Sequence, residues 1–337
     1  MRPYNFANCR VQRGLSLIEL MISITIGLLI LVALTTLFVN QSQTRTELDK
    51  STRMIENGRY AMELLSDNLR LAGFYGELDP SPLPLPSALT DPCSVSVANI
   101  VSMLRIHVGG FDAAGVNSSI ASPPCSLTSL KNGSDILVLQ RAGSTPVVQT
   151  AAVNGIHYIQ PSRCSFDTPN FVLSTTPASF TRRQNHCTPS STTPYADLRR
   201  FIVQTYFVST DNNPGDGIPT LERMELDPAG SGSFVVTKLV EGVEYLQVEY
   251  GVDADNNGTA DSYTTCSACT IADWANVVTV RLYVIARNIE QTTGYTDSKT
   301  YNLGQAGTFG PFNDHYKRHV YTQLVRLINP ASRKEVQ

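Results

Sequence analysis

Few residues in this chain have both the type and the surroundings to do chemistry, and Glu19 is the first of them. It stands inside residues 15–39, where 18 of 25 positions are Leu, Ile, Val, Met, Phe or Ala. In a bilayer, a carboxylate within such a run costs on the order of 2.5–3.5 kcal/mol, so it needs a partner or a route to water. Beside a cation on another chain it could fix the register between two such segments. A second candidate is Asp253-Ala254-Asp255-Asn256-Asn257-Gly258-Thr259-Ala260-Asp261, which has the D-x-D-x-N-G-x-x-D order of a cation loop. Asp253, Asp255, Asn257, the Thr259 carbonyl and Asp261 would wrap a hard ion, calcium by its oxygen chemistry, while Gly258 permits the sharp turn. The twelfth position is Thr264 and not a bidentate Glu, and Asp/Asn turns also form without metal. Third, Cys266-Ser267-Ala268-Cys269 has the spacing of a structural disulfide, a redox pair or half of a zinc site. His315 and His319 are four apart, but their surroundings favour a strand, where that spacing does not bring two rings together. Since G-x-S-x-G, H-E-x-x-H and phosphate-loop patterns are missing, the chain reads as non-catalytic, with calcium as its one candidate cofactor and none required.

The elements that must position these residues begin with the apolar run. As a helix, residues 15–39 would extend roughly 37 Å, enough to cross a hydrocarbon core. Arg2, Arg10 and Arg13 precede it without any acidic residue, which favours a cytoplasmic N-terminus. No small-residue cleavage site follows, so the hydrophobic segment should be retained. Residues 40–73 continue as an amphipathic helix, with Leu48, Thr52, Ile55, Met62, Leu65, Leu69 and Ala72 on one face. Prolines 80, 82, 84, 86 and 92 forbid further helix and make an extended connector. Beyond it, short β-rich runs at 103–108, 136–141, 201–209, 223–226, 234–240, 245–252, 277–286 and 317–328 alternate with turn clusters. Residues 162–197, rich in Ser, Thr and Pro, read as a long loop or a loosely structured insertion. The expected class is α+β: a long N-terminal helix, transmembrane in its first half, packed on antiparallel β-sheet with an enlarged second β region. With 26 basic against 29 acidic residues there is no basic footprint, and no nucleic-acid partner is expected.

Arg13-Gly14-Leu15-Ser16-Leu17-Ile18-Glu19-Leu20 resembles the processing site of class III signal peptides, found in type IV pilins and type II secretion pseudopilins. The resemblance implies that a prepilin peptidase removes residues 1–14 by cutting between Gly14 and Leu15, and that the new Leu15 amine is methylated. Glu19 is then the fifth residue of the mature chain, placed to pair with the ammonium of a neighbouring subunit. Glu56-Asn57-Gly58-Arg59-Tyr60-Ala61-Met62-Glu63-Leu64-Leu65, the stretch 68–76, residues 211–221 and residues 243–261 are similar to the PilW family of type IV pilus minor pilins. Residues 79–200 carry the least of this likeness. The family implies a type IV pilin-like fold, with residues 74–337 as a periplasmic head that is later carried to the pilus tip. It also implies a set of partners: other minor pilins, the major pilin, a large tip adhesin, the inner-membrane assembly platform and membrane lipid. A type II secretion pseudopilin, or a head that itself acts as an adhesin, are the rival readings.

Cysteine arithmetic accords with cleavage. Of seven cysteines, Cys9 lies in the leader, leaving six for an oxidising compartment. Sequential pairing, Cys93 with Cys125, Cys164 with Cys187 and Cys266 with Cys269, is the simplest of the arrangements open to six thiols.

Overall fold

The computed structural model describes residues 14, 16–120, 124–127, 129–190, 194–226, 230 and 232–335. Its first element is α1 (Leu17–Leu71), a single helix of 55 residues with no proline to break it. The chain divides into two compact units, residues 1–50 and 51–337.

In the first unit α1 is apolar on every side from Leu17 to Val39, apart from Glu19 and a few Ser, Thr and Gly positions. Leu17, Leu29 and Phe38 are 77%, 71% and 72% exposed, and at about 100° per residue they point in different directions. Among the described residues this is the one helix long and apolar enough to cross a membrane.

In the second unit the helix changes character. Met54, Gly58, Ala61, Met62, Leu65, Ser66 and Leu69 are buried along one face. This seam differs from the expected one, since Thr52 and Ile55 are exposed. The reason is a close approach: a Cβ on Gly58 would lie 2.2 Å from the ring of Tyr321, whose hydroxyl donates to the Ile55 carbonyl at 3.3 Å. Only a glycine lets the ring lie so near the helix, and the buried face turns to follow it. The helix stops at Gly73, which has φ +71°, a conformation glycine adopts without steric cost.

After a short helix, α2 (Val97–Ser102), come seven strands of one antiparallel sheet: β1 (Val108–Phe111), β2 (Ile136–Ala142), β3 (Tyr158–Pro161), β4 (Phe171–Ser174), β5 (Arg199–Ser209), β6 (Thr220–Leu226) and β7 (Phe234–Glu241). The order β1-β2-β5-β3-β4 forms its spine, with β6 pairing β5 and β7. A second sheet joins β8 (Val243–Val252), β9 (Ser262–Thr264) and β10 (Val277–Arg287), with the helix α3 (Ile271–Ala275) leading into β10. Strands β11 (Tyr301–Asn302) and β12 (Thr308–Phe309) form a ribbon, and β13 (Arg318–Arg326) completes the second sheet in the order β13-β10-β8-β9. The last helix is α4 (Ile328–Glu335).

Strands β8 and β10 are buried along nearly their whole length, because each face is covered by a different layer. Leu246, Val248, Tyr250, Val280, Leu282 and Val284 pack with Ala61, Met62, Leu65 and Leu69 of α1 and with Leu137 and Tyr206 of the first sheet. On the opposite face, Tyr245, Tyr283 and Ile285 meet Tyr301, Leu303 and Phe309 of the ribbon region. The sheets are tied by Asp135, whose two carboxylate oxygens accept the Ala113 and Val248 N–H groups at 2.9 and 2.8 Å.

Three expectations are corrected. Residues 103–108 are not one strand: α2 and a turn precede β1, because Ile100, Leu104 and Ile106 are buried as a helix and turn. The run at 317–328 ends as a strand at Arg326, and α4 follows. The Ser/Thr/Pro-rich stretch 162–197 is tied down and not loose. It contains β4, the Cys164–Cys187 disulfide, the fully buried Phe180, and Arg183 bonded to Asp167 at 2.7 Å with both side chains nearly buried.

The buried charge centre of the second sheet is Arg318. Its guanidinium reaches Glu244 at 2.5 Å, Asp297 at 2.8 Å and Asp314 at 2.6 Å, with no exposure of its side chain. Burial alone would raise the Asp314 pKa, but hydrogen bonds from Arg318 and the Tyr316 N–H hold the carboxyl below the ordinary aspartate range. A carboxyl with a lowered folded pKa stabilises above its unfolded value of about 3.9 and loses that contribution as pH falls through the folded one. Asp314→Asn should therefore lower the Tm at pH 7, and the difference from wild type should shrink progressively as the pH falls below about 4, as thermal melts of the full chain in detergent would show. A second prediction concerns Gly58. Gly58→Ala should destabilise by about 1–3 kcal/mol through overpacking. In a Tyr321→Ala background the same change should reverse sign and stabilise by up to ~1 kcal/mol, the helix-propensity gain of Ala over Gly, as denaturant unfolding of the four variants would test.

Candidate functional site

Glu19 lies in the first turn of α1, where a negative charge suits the positive end of the helix dipole. The hydroxyls around it are already satisfied within the helix. Ser23 donates to the Glu19 carbonyl at 2.7 Å, Thr25 to Met21 at 2.8 Å and Thr36 to Val32 at 2.8 Å. This is the arrangement that makes a polar residue tolerable in lipid. The Glu19 carboxylate has no such outlet: among the described residues no side chain pairs with it. It is the one ionisable group on α1 between Leu17 and Val39. Gly14 is exposed and precedes the helix. Leu15, Arg13 and the rest of the leader, Cys9 included, lie outside the described residues.

Six cysteines form three disulfides, Cys93–Cys125, Cys164–Cys187 and Cys266–Cys269. Bonded in this way, Cys266 and Cys269 offer no thiolate to a zinc ion. Cys266 is buried against the main core and Cys269 packs on its edge, just before the Thr270–Asp273 capping box that starts α3.

In the 253–261 loop, carboxylate oxygens of Asp253, Asp255 and Asp261 come within 4.8 Å of one another, and Asp253 is wholly buried. Their lone pairs are met by the chain itself. Asp253 accepts from the Asn257 and Gly258 N–H groups at 3.1 and 2.9 Å, and Asp261 accepts from Ala254 N–H at 2.7 Å. The Asn257 side chain donates to Asp255 at 2.8 Å and accepts from Thr259 N–H at 2.8 Å. A cation is also present, because Lys334 Nζ of α4 lies 3.4 Å from the Asp253 carboxylate and 3.0 Å from the Asn256 amide oxygen. Any calcium entering the loop competes with that ammonium. The two histidines stay apart in role: His315 contacts the Tyr295 carbonyl at 2.6 Å, while His319 sits edge-on to Tyr321 on β13.

Two family matches bracket these features. Residues 9–35 match the prokaryotic N-terminal methylation motif, and residues 205–329 match Type IV Pilus-assembly protein W, PilW. Residues 205–329 are thus PilW-like and residues 9–35 prepilin-like. No curated protein and no solved structure matches it. The first match spans Gly14, Leu15 and Glu19, the second runs from β5 through β13 and includes the 253–261 loop. Together the matches join a prepilin-like N-terminal motif to a PilW-like head region, features that support a type IV pilus minor pilin. Its fold is the pilin-like α+β arrangement, a long N-terminal helix with antiparallel sheets.

Sequence reasoning passed over α4. Asn329 donates to the Ala72 carbonyl at 3.2 Å and Arg333 to the Gly73 carbonyl at 3.1 Å, so α4 caps the carbonyls left open where α1 ends. The signal was Asn-Pro followed by Arg and Lys, a helix start and a basic last turn, in residues 329–334. Lys334→Met should cost about 3 kcal/mol or more, because it leaves the buried Asp253 charge without a cation. Lys334→Arg should recover most of it, and equilibrium unfolding of the full-length variants measures both.

Proposed function

We propose that this minor pilin helps to initiate type IV pilus assembly and forms part of the tip or priming complex. The observation that carries the reading is Glu19, a carboxylate in a span exposed on all sides, without a partner among the described residues. Cleavage between Gly14 and Leu15 by a prepilin peptidase would create an ammonium on the mature N-terminus of each subunit. A neighbour's methylated amine would then be the cation that Glu19 lacks, and pairing would set the axial step between helices. The head supports a tip position. Two sheets, a ribbon and the tied insertion at 162–197 make a bulk hard to repeat along a close-packed shaft but easy to place at its end.

On this reading the N-terminus is cytoplasmic and the head periplasmic, and the inner-membrane assembly platform extracts the helix into the fibre. Other minor pilins, the major pilin and a large tip adhesin are the partners. Deleting the gene in a strain unable to retract pili should abolish surface pili or reduce them at least tenfold, counted by electron microscopy. Complementation with Glu19→Val should give a processed, membrane-inserted protein that fails to restore them. Normal piliation with lost adhesion would instead favour a head that binds a ligand directly, and normal piliation with Glu19→Val would sink the pairing role.

A further inference from the structure

A cavity of about 120 Å3 opens where α4 meets the residues that follow α1, and its wall includes Arg105, His107, Asn256, Asn276, Arg333 and Lys334. Three cations share this wall, and their charges are unequally answered. Lys334 has Asp253 at 3.4 Å. Among the described residues Arg333 has only Asp79 as an anionic partner, loosely placed at 3.8 Å and 51% exposed. Its nearer contacts are neutral: the Gly73 carbonyl at 3.1 Å and His107 Nε2 at 3.4 Å. Arg105 donates to the Leu83 carbonyl at 3.0 Å, and among the described residues it makes no ion pair.

Neutral acceptors orient a guanidinium without cancelling its charge. Each guanidinium has five N–H donors in a planar fork, so both arginines keep donors free after these contacts. His107 belongs to the same design. Burial, then Arg333, Arg105 and Lys334, push its imidazole far below the ordinary histidine range. The ring is therefore uncharged at neutral pH and accepts from Arg333 instead of competing for an anion. Capping of α1 accounts for the Gly73 contact of Arg333. It does not account for Arg105, which arrives from the turn after α2 and adds a third positive charge where repulsion disfavours it.

We infer that this cavity binds a phosphate-type oxyanion, gripped by the forks of Arg105 and Arg333 with Lys334 beside them. Charge-assisted bonds from two planar forks suit the tetrahedral oxygens of phosphate. The site is independent of the role in pilus assembly. The phosphate could be free or could belong to a phospholipid headgroup.

The test uses the full-length protein in detergent, with isothermal titration and thermal melts. Inorganic phosphate should bind saturably and raise the Tm above the value in sodium chloride of equal ionic strength. Arg105→Gln should weaken phosphate binding at least tenfold, Arg105→Lys should weaken it less, and the exposed, remote Lys238→Gln should leave it unchanged. A short-chain phosphatidylglycerol that competes with phosphate identifies a headgroup as the source, and lack of competition identifies the free ion. A phosphate effect no larger than that of chloride, or equal phosphate affinity in Arg105→Gln, overturns the proposal. If Arg105→Gln does not fold, Arg105→Lys carries the same comparison, and unchanged affinity there would be equally contradictory.

Discussion

A carboxylate fixed on an apolar helix must find a proton, water or a cation, and nothing along α1 between Leu17 and Val39 supplies any of them. Serine and threonine hydroxyls in the same stretch turn back onto helix carbonyls, so they are satisfied locally. Glu19 is not. That contrast places the need for a partner at one atom group, with none supplied by the described residues. On the proposed pairing, a segment suited to lipid can later suit a fibre, because a neighbour's ammonium would give the carboxylate what the bilayer withholds.

The same helix supplies the seam of the head's core. From Met54 to Leu69 its buried face packs on residues of both sheets, and Gly58 is bare where Tyr321 crosses it. The helix end is held by α4, whose Asn329 and Arg333 take the carbonyls of Ala72 and Gly73. The next residue, Lys334, reaches Asp253. One short C-terminal helix therefore ties the end of α1 to the acidic loop after β8. Buried charge is used with full pairing at Arg318, where three carboxylates surround one guanidinium. Such a cluster is costly to break, and it specifies how β8, β13 and the ribbon region meet.

Much of this was legible in the sequence for physical reasons. The apolar run with one acidic residue marked the span, and β-branched and aromatic runs between turn clusters marked β2, β5, β7, β8 and β10, because such side chains suit the pleated surface of a strand. What was illegible depended on distant partners. The seam of α1 was expected through Thr52 and Ile55 but runs through Gly58, since the ring that displaces it lies 263 positions away at Tyr321. Residues 162–197 looked loose by composition, yet a disulfide and the Asp167–Arg183 pair order them. The Asp253 loop was legible as a set of oxygens. The cation near it was not, because Lys334 comes from a helix whose eight residues leave little periodic signal.

The most direct test of the central claim is intact-mass and N-terminal analysis of the mature chain purified from the cell envelope. The mature polypeptide should begin at Leu15 with a methylated amine, so that Glu19 stands fifth and an ammonium is available to each neighbour. A mature chain that retains residues 1–14, or that begins downstream of Glu19, would contradict it.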